Sequence, residues 1–181
     1  DLDSTTRQPK RLTGREAFYP DVTDAQWNDW KWQFRNRVTT LDELAQKLPI
    51  PAAEWNMRRE VLRDFRMGIT PYYLSLVDPE DKEDPILRQV APIVEEYVYR
   101  DVGEEDPLGE ENFSPVPGIT HRYPDRVLMV TTHVCTMYCR FCTRKRATMV
   151  RGGWDAISRD DERMIEYVRD HPQIRDVVVS G

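Results

Sequence analysis

All three cysteines of the chain, Cys135, Cys139 and Cys142, lie within the eight-residue segment CTMYCRFC. Disulfide frameworks use even numbers of dispersed cysteines, so this spacing points instead to thiolates that bind a metal centre. Zinc prefers four tetrahedral ligands, and His133 or His121 would have to complete such a set. A [4Fe-4S] cluster normally takes four thiolates, so three cysteines leave one iron open for another ligand. The spacing predicts a cluster of this kind, with zinc as the alternative.

A basic stretch overlaps the last of these cysteines in a chain that is acidic overall. Residues 140–151 read RFCTRKRATMVR and contain no acid, whereas the whole chain has 26 Lys and Arg against 32 Asp and Glu, a net charge of −6. Nonspecific nucleic-acid binding depends on a cationic surface, so we expect no nucleic-acid partner. The stretch itself indicates a small anionic ligand, the alternative being a solvated basic loop.

The residues around the cysteines predict a strand, a loop, a helix and a second strand. Residues 127–134, VLMVTTHV, and 176–180, DVVVS, are apolar and β-branched enough for buried strands. Between them, Ser158 is a candidate N-cap for a helix that ends near His171. Parallel units of this βαβ kind place their loops at the carboxyl ends of strands, and the cysteines follow such an end.

The earlier part of the chain predicts short helices. Residues 1–20 lack periodicity and are expected to form an arm. Thr23 is a candidate N-cap for a helix whose stripe of Trp27, Trp30 and Phe34 we expect in the core. Further helices are predicted over 40–48, where Thr40 and Glu43 form a capping box, over 52–68 and over 93–100. Residues 104–118, EEDPLGEENFSPVPG, are acidic and rich in turn residues and predict a boundary.

These elements predict an α/β fold with a helical amino-terminal region, 1–118, and the start of a second domain, 119–181. A sheet of two strands cannot close, and 181 residues are fewer than the roughly 250 of a complete eight-stranded barrel. We therefore expect the amino-terminal part of a longer protein. No apolar run approaches the ~20 residues that cross a bilayer, and no secretory signal is visible, so we expect a cytoplasmic protein without a membrane partner.

The C-x3-C-x2-C spacing after a strand is the signature of radical S-adenosylmethionine enzymes, and other segments narrow the resemblance. In chain order these segments are WNDWKWQFRNRVTTLDEL from 27, TPYYLSL from 70, DPILRQ from 84, SPVPGITHRYPDRVL from 114 and HVCTMYCRFCTRKR from 133. With them, the chain from about residue 15 onwards resembles the lysine 2,3-aminomutase family, which includes glutamate 2,3-aminomutases. The resemblance implies that residues 119–181 are the first βαβ unit of a truncated radical-SAM partial (β/α) barrel.

The family implies an isomerase that moves the α-amino group of an L-amino acid to the β-carbon. L-lysine is the expected substrate, with L-glutamate as the alternative. The implied cofactors are a [4Fe-4S] cluster, S-adenosyl-L-methionine and pyridoxal 5'-phosphate. The implied partners are an external one-electron reductant such as flavodoxin or ferredoxin and further copies of the same chain in a homo-oligomer. The lysine that binds pyridoxal phosphate lies beyond residue 181 in the family, so this chain alone is expected to be inactive.

Matching positions to the family assigns roles to individual residues. The three cysteines would bind the cluster. Arg122 would grip the phosphate of pyridoxal phosphate, with Arg126 as a second candidate for the same group. Arg144 would pair with the carboxylate of the amino-acid substrate.

Three more residues receive roles beside S-adenosylmethionine. Phe141 stands where radical enzymes place an aromatic ring next to the adenine, although lysine aminomutases have His there. Ser180 and Gly181 begin the glycine-rich strand end that receives the methionyl amino group.

Two alternatives stay open. One, from another class of protein, is a non-catalytic iron–sulfur electron-transfer or metal-binding module. The other is a related enzyme that acts on lysine for elongation-factor modification, against which the long helical region counts. Iron content, and a changed electron paramagnetic signal when S-adenosylmethionine binds, separate the enzyme from the module.

Overall fold

The computed structural model describes residues 14–81, 83–149 and 160–180, so the predictions for residues 1–13, Ser158 and Gly181 lie outside it. Helices dominate the first part of the chain, and three strands follow residue 118. The α-helices are α1 (Arg15–Phe18), α2 (Asp24–Trp27), α3 (Trp30–Arg35), α4 (Leu41–Ala45), α5 (Trp55–Asp64), α6 (Pro71–Leu74), α7 (Pro85–Arg88), α8 (Val94–Val98), α9 (Lys145–Thr148) and α10 (Asp161–Asp170), with 3-10 helices at Ala52–Glu54 and Glu110–Phe113.

Polar caps decide where several helices begin. The Thr40 hydroxyl accepts a hydrogen bond from the Glu43 backbone N–H, and the Glu43 carboxylate accepts one from the Thr40 N–H, which confirms the predicted capping box. The helix predicted from Thr23 also begins there, but the Asp29 side chain caps a second helix. The predicted aromatic stripe is therefore divided between α2 and α3, and Trp30 is 69 % exposed rather than part of the core.

Two other helix predictions need correction. The helix predicted over 52–68 starts as a 3-10 turn and ends at Asp64, before the extended residue Phe65. Residues 14–20 are not an arm, because they contain α1, whose Phe18 is buried.

None of the helices in the described ranges combines the length and the apolar character that crossing a bilayer requires.

The core of the helical region lies between these short helices. Ile69, Leu74 and Val90 have no exposed surface. Val38 and Ile69 exchange backbone hydrogen bonds of 2.8 and 3.0 Å, which tie the end of α3 to the segment before α6. The buried residues of this cluster are Phe18, Val38, Leu44, Leu48, Met67, Ile69, Leu74, Val77, Val90 and Ala91.

The sheet consists of β1 (Ile119–Tyr123), β2 (Arg126–Val130) and β3 (Asp176–Ser180), in that order. β1 and β2 are antiparallel, whereas β2 and β3 are parallel and joined through α10, which confirms the predicted βαβ unit. β2 ends at Val130 rather than at residue 134, and its described pairing with β3 runs from Arg126 opposite Asp176 to Val130 opposite Ser180. β1 has no counterpart among the predicted strands. The sheet is compatible with an α/β domain, while barrel closure and the domain bounds stay predictions.

A smaller core lies between the sheet and α10. Its buried residues are Ile119, Val127 and Met164. Gly118 has a φ of +88°, and a Cβ there would lie 2.5 Å from the Met164 sulfur, so glycine permits this close approach. The Asp160 carboxylate caps α10 by accepting a hydrogen bond from the Arg163 N–H. The predicted helix is thus present, with an observed cap inside the described residues.

Candidate functional site

The cysteine loop, residues 131–144, follows the end of β2. Cys135, Cys139 and Cys142 are free thiols and each is half-buried. The Cys142 N–H donates to the Cys139 carbonyl over 3.1 Å, which makes a turn between the last two. Burial, together with the neighbouring Cys135 and Cys142 thiols, raises the pKa of Cys139. Binding a metal centre here would release protons, because thiolates rather than thiols are ligands.

The arrangement of possible ligands bears on which centre fits. Among the described residues, no three His, Cys, Asp or Glu side chains converge closely enough to hold a single metal ion. A [4Fe-4S] cluster does not require that convergence, because each thiolate binds a different iron. His121, one possible fourth ligand for zinc, points to α10, where its Nδ1 lies 2.7 Å from the Tyr167 hydroxyl oxygen. Three thiolates can each bind a different iron and leave a fourth iron open, so this donor set is chemically suited to a cluster, whereas zinc would need His133 as its fourth ligand.

The cysteine loop rests against the helical region. Arg37 Nη1 donates to the Cys135 carbonyl over 2.9 Å, and the Tyr138 N–H donates to the Gly68 carbonyl over 3.0 Å. The Tyr138 ring is 5 % exposed, with the Arg37 and Arg66 guanidinium carbons 5.6 and 4.7 Å from its centroid. A Cβ at Gly68 would lie 2.8 Å from this ring, so the absence of a side chain at Gly68 lets the Tyr138 ring pack against the backbone there.

Arg140, between the second and third cysteines, is buried rather than solvated. Its Nη2 lies 2.8 Å from Glu96 Oε2, and its Nε donates to the same carboxylate over 3.0 Å. Its Nη1 donates to the carbonyls of Phe65 and Arg66, and its backbone N–H donates to the Gln89 carbonyl. The charge is paired and its donors are satisfied, which is what a buried guanidinium requires.

Two more arginines of the basic stretch are also paired. Arg144 donates through Nε and Nη2 to the Glu110 carboxylate over 3.0 and 2.5 Å. Arg146 Nη2 lies 3.2 Å from Asp106 and 3.3 Å from Glu111. The alternative of a solvated basic loop is therefore wrong, because these charges meet carboxylates of the same chain, while a small anionic ligand stays a prediction. The acids come from residues 104–118, which the sequence presented only as a boundary.

Arg122 and Arg126 line one cavity of about 270 Å³ on the sheet. The Arg122 guanidinium carbon lies 5.4 Å from the Phe113 ring centroid, and Arg126 Nε donates to the adjacent Asp125 carboxylate over 2.9 Å. Apolar strand residues and Glu110 also line the cavity, so an apolar surface meets two guanidinium groups, of which Arg126 is paired with Asp125. That combination suits a planar ring that carries a phosphate.

Arg144 lines a second cavity, of about 390 Å³, and Glu110 lines both cavities. The structure thus places Arg122 and Arg126, the arginines predicted to bind the phosphate, in one cavity. Arg144, predicted to bind the carboxylate, lines the other cavity, and Glu110 lies between the two.

Phe141 is 67 % exposed on the cysteine loop. Ser180 ends β3, and its carbonyl accepts a hydrogen bond from the Thr131 N–H over 2.8 Å. The roles of Phe141 and Ser180 stay predictions.

Known proteins align with nearly the whole chain. It is 47 % identical over 170 residues to the L-lysine 2,3-aminomutase of Clostridium subterminale, an alignment that covers 94 % of this chain and 41 % of the relative. It is 45 % identical over 169 residues to the same enzyme of Acetoanaerobium sticklandii, covering 92 % and 40 %. The glutamate 2,3-aminomutase of Clostridioides difficile is 41 % identical over 160 residues, covering 88 % and 37 %. No protein-family model matches the chain.

These alignments confirm the resemblance seen in the sequence motifs. The chain spans about two fifths of the length of the curated relatives that it matches, at 41 % and 40 % of the first two. Proteins named for lysine and for glutamate both align with most of it. Over the part that it covers, the chain belongs to the family of the L-lysine and glutamate 2,3-aminomutases.

Proposed function

We propose that the protein acts as a 2,3-aminomutase that converts L-lysine to β-lysine by radical chemistry. The observation that carries the proposal is the 47 % identity to an L-lysine 2,3-aminomutase across 94 % of this chain. The three free thiols on one loop at the carboxyl end of β2 support it, because they suit a cluster that is open at one iron.

Cys135, Cys139 and Cys142 would hold the [4Fe-4S] cluster. When bound, the cluster with S-adenosylmethionine supplies a radical that abstracts hydrogen, and pyridoxal phosphate stabilises the substrate radical. The helical region positions the thiols through Arg37 and through the buried Tyr138 ring. Tyr138 and Arg140, on either side of Cys139, are buried, so this part of the loop is fixed against the helical region.

The arginines would bind the anionic groups of cofactor and substrate. Arg122 and Arg126 share the 270 Å³ cavity, where their guanidinium groups would hold the phosphate of pyridoxal phosphate. Arg144 would pair with the α-carboxylate of the amino acid. A carboxylate fixed in this way determines which carbon of the substrate faces the rest of the site. Arg144 would therefore orient the substrate and would not act as an acid or a base.

The remaining parts of the proposal concern the protein as a whole. An external one-electron reductant such as flavodoxin or ferredoxin would supply the electron, and the complete protein would form a homo-oligomer in the cytoplasm. Because the chain spans about two fifths of its relatives, we expect residues 1–181 alone to show no turnover.

The test uses the complete protein, reconstituted anaerobically with iron, sulfide and pyridoxal phosphate. We expect four irons per chain, a changed electron paramagnetic signal with S-adenosylmethionine, and conversion of L-lysine to its β-isomer. Cys139→Ala should lose the irons and the activity, whereas Thr143→Ala, an exposed residue of the same loop, should keep both.

Other outcomes decide between the alternatives. Conversion of L-glutamate instead of L-lysine would replace the substrate and keep the reaction. Bound zinc, or a cluster that does not respond to S-adenosylmethionine, would indicate a metal-binding or electron-transfer module. A Cys139→Ala protein that keeps four irons would contradict the assignment of the cluster to these three cysteines.

A further inference from the structure

We infer that Glu110 is a positioning residue that holds Arg144 by one edge of its guanidinium group so that the other edge faces the substrate carboxylate. The inference rests on the proposed function, because it takes Arg144 as the carboxylate-binding residue. Glu110 belongs to a segment whose sequence indicates only turns, and its effect would act through Arg144 rather than on the substrate itself.

The geometry of the pair leaves part of Arg144 available. Glu110 accepts from Nε and Nη2, which together form one edge of the planar fork. Among the described residues, Nη1 of Arg144 has no hydrogen-bond partner. Nη1 and the remaining hydrogen of Nη2 form the second edge of the guanidinium group, and this edge can bind another carboxylate. The side chains of Arg144 and Glu110 are 31 % and 17 % exposed, so the pair is held partly out of water. One carboxylate thus fixes the orientation with which Arg144 meets a second one.

Glu110 is itself braced by its own segment. Gly109 has a φ of +61°, and this left-handed residue starts the 3-10 turn Glu110–Phe113. The Asp106 carboxylate accepts a hydrogen bond from the Glu111 N–H over 2.8 Å, and Arg146 lies 3.2 Å from the same carboxylate. A carboxylate on a turn held through Asp106 is suited to orient a partner.

The turn also relates the two cavities. Glu110 lines both of them, and Phe113, three residues later, contacts Arg122 in the 270 Å³ cavity. A single turn therefore contacts the arginine assigned to the phosphate and the arginine assigned to the carboxylate.

The test is a double-mutant cycle in the complete protein with Glu110→Gln, Arg144→Lys and both together. The dissociation constant of L-lysine is measured by calorimetry, with 1,5-diaminopentane, which lacks the carboxylate, as the comparison ligand. We expect Glu110→Gln to weaken L-lysine binding about 10-fold and to leave 1,5-diaminopentane within about twofold. In the double variant, binding should equal that of Arg144→Lys alone. Glu104→Gln, an exposed acid of the same segment, should match the parent.

The opposite results are equally clear. Tighter L-lysine binding by Glu110→Gln would make Glu110 a competitor of the substrate. Additive losses, or equal losses for both ligands, would give Glu110 a role independent of Arg144. A parent that binds neither L-lysine nor L-glutamate would overturn the inference. A parent that binds L-lysine without isomerising it would contradict the proposed function while the cycle still tests Glu110.

Discussion

The helical region and the sheet differ in how completely each buries its apolar residues. Ten residues are buried in the helical cluster, whereas three are buried between the sheet and α10. In β3, Val177, Val178 and Val179 are 38, 54 and 65 % exposed. The helical region therefore buries more of its apolar residues, and the sheet leaves an apolar surface exposed.

The cysteine loop belongs to the sheet by position in the chain and to the helical region by contact. Met137 packs against the helical cluster, and Tyr138 and Arg140 are buried against residues that precede the sheet. The loop that carries the thiols is therefore positioned by the region with the larger core. The two arginine cavities lie where residues 105–118 meet the more exposed sheet.

The largest predicted effect comes from the buried ion pair that joins the two regions. Arg140→Met removes the charge with little change in volume and leaves Glu96 unpaired, so the free energy of unfolding should fall by about 3 to 5 kcal/mol. Urea unfolding measures it. Arg63→Met, whose side chain is 74 % exposed, is the control and should cost less than about 1 kcal/mol. Equal losses of unfolding free energy for Arg140→Met and Arg63→Met would show that the ion pair between Arg140 and Glu96 does not stabilise the contact between the two regions.

The second prediction compares one residue from each region. Leu74→Ala, at a fully buried position of the helical core, should cost about 2 to 5 kcal/mol in unfolding free energy. Val178→Ala, at 54 % exposure in β3, should stay within about 0.5 kcal/mol in the 181-residue chain. A large effect at Val178 would mean that its surface is covered, and the contrast between the regions would then be wrong.

The smallest effect is a pH dependence within the helical region. Burial, with the nearby Glu43 carboxylate second, raises the pKa of Tyr19 to about 12 from its usual 10.0. The folded chain keeps this proton more tightly than the unfolded chain, so the stabilisation is complete below pH 10 and is lost between pH 10 and 12. Tyr19→Phe should flatten the unfolding free energy over that interval. Identical curves for both proteins would contradict the assignment.

Local features of the fold followed from local sequence. The capping box of Thr40 and Glu43 lies within one turn, and the β-branched run 176–180 forms β3 as predicted. The predicted burial of that strand is wrong, because its three valines are exposed. The break at Asp29 was not evident, because the aromatic spacing continues across it while the side chain caps a new helix. β1 was missed because its polar and apolar residues form a strand only through pairing with β2.

The candidate site divides in the same way. The three cysteines are identified by spacing within eight residues, and the arginines by family position. Neither spacing nor family position identifies Glu110 and Glu96 as partners of these arginines. Arg144 and Arg140 lie 34 and 44 residues away from them, and only the folded chain brings each pair together. The charge pattern of the stretch gave no sign of this pairing, because the acids that meet Arg140 and Arg144 lie outside it.

The contacts between the cysteine loop and the helical region also have a consequence for folding during synthesis. Arg37 and the Cys135 carbonyl are 98 residues apart, and the residues that receive the loop all precede it. Because a chain leaves the ribosome from its amino terminus, the helical region can fold before the thiols are synthesised. The cysteines then meet a surface that already exists, which shortens the time that three neighbouring thiols spend exposed to oxidation and to wrong disulfides.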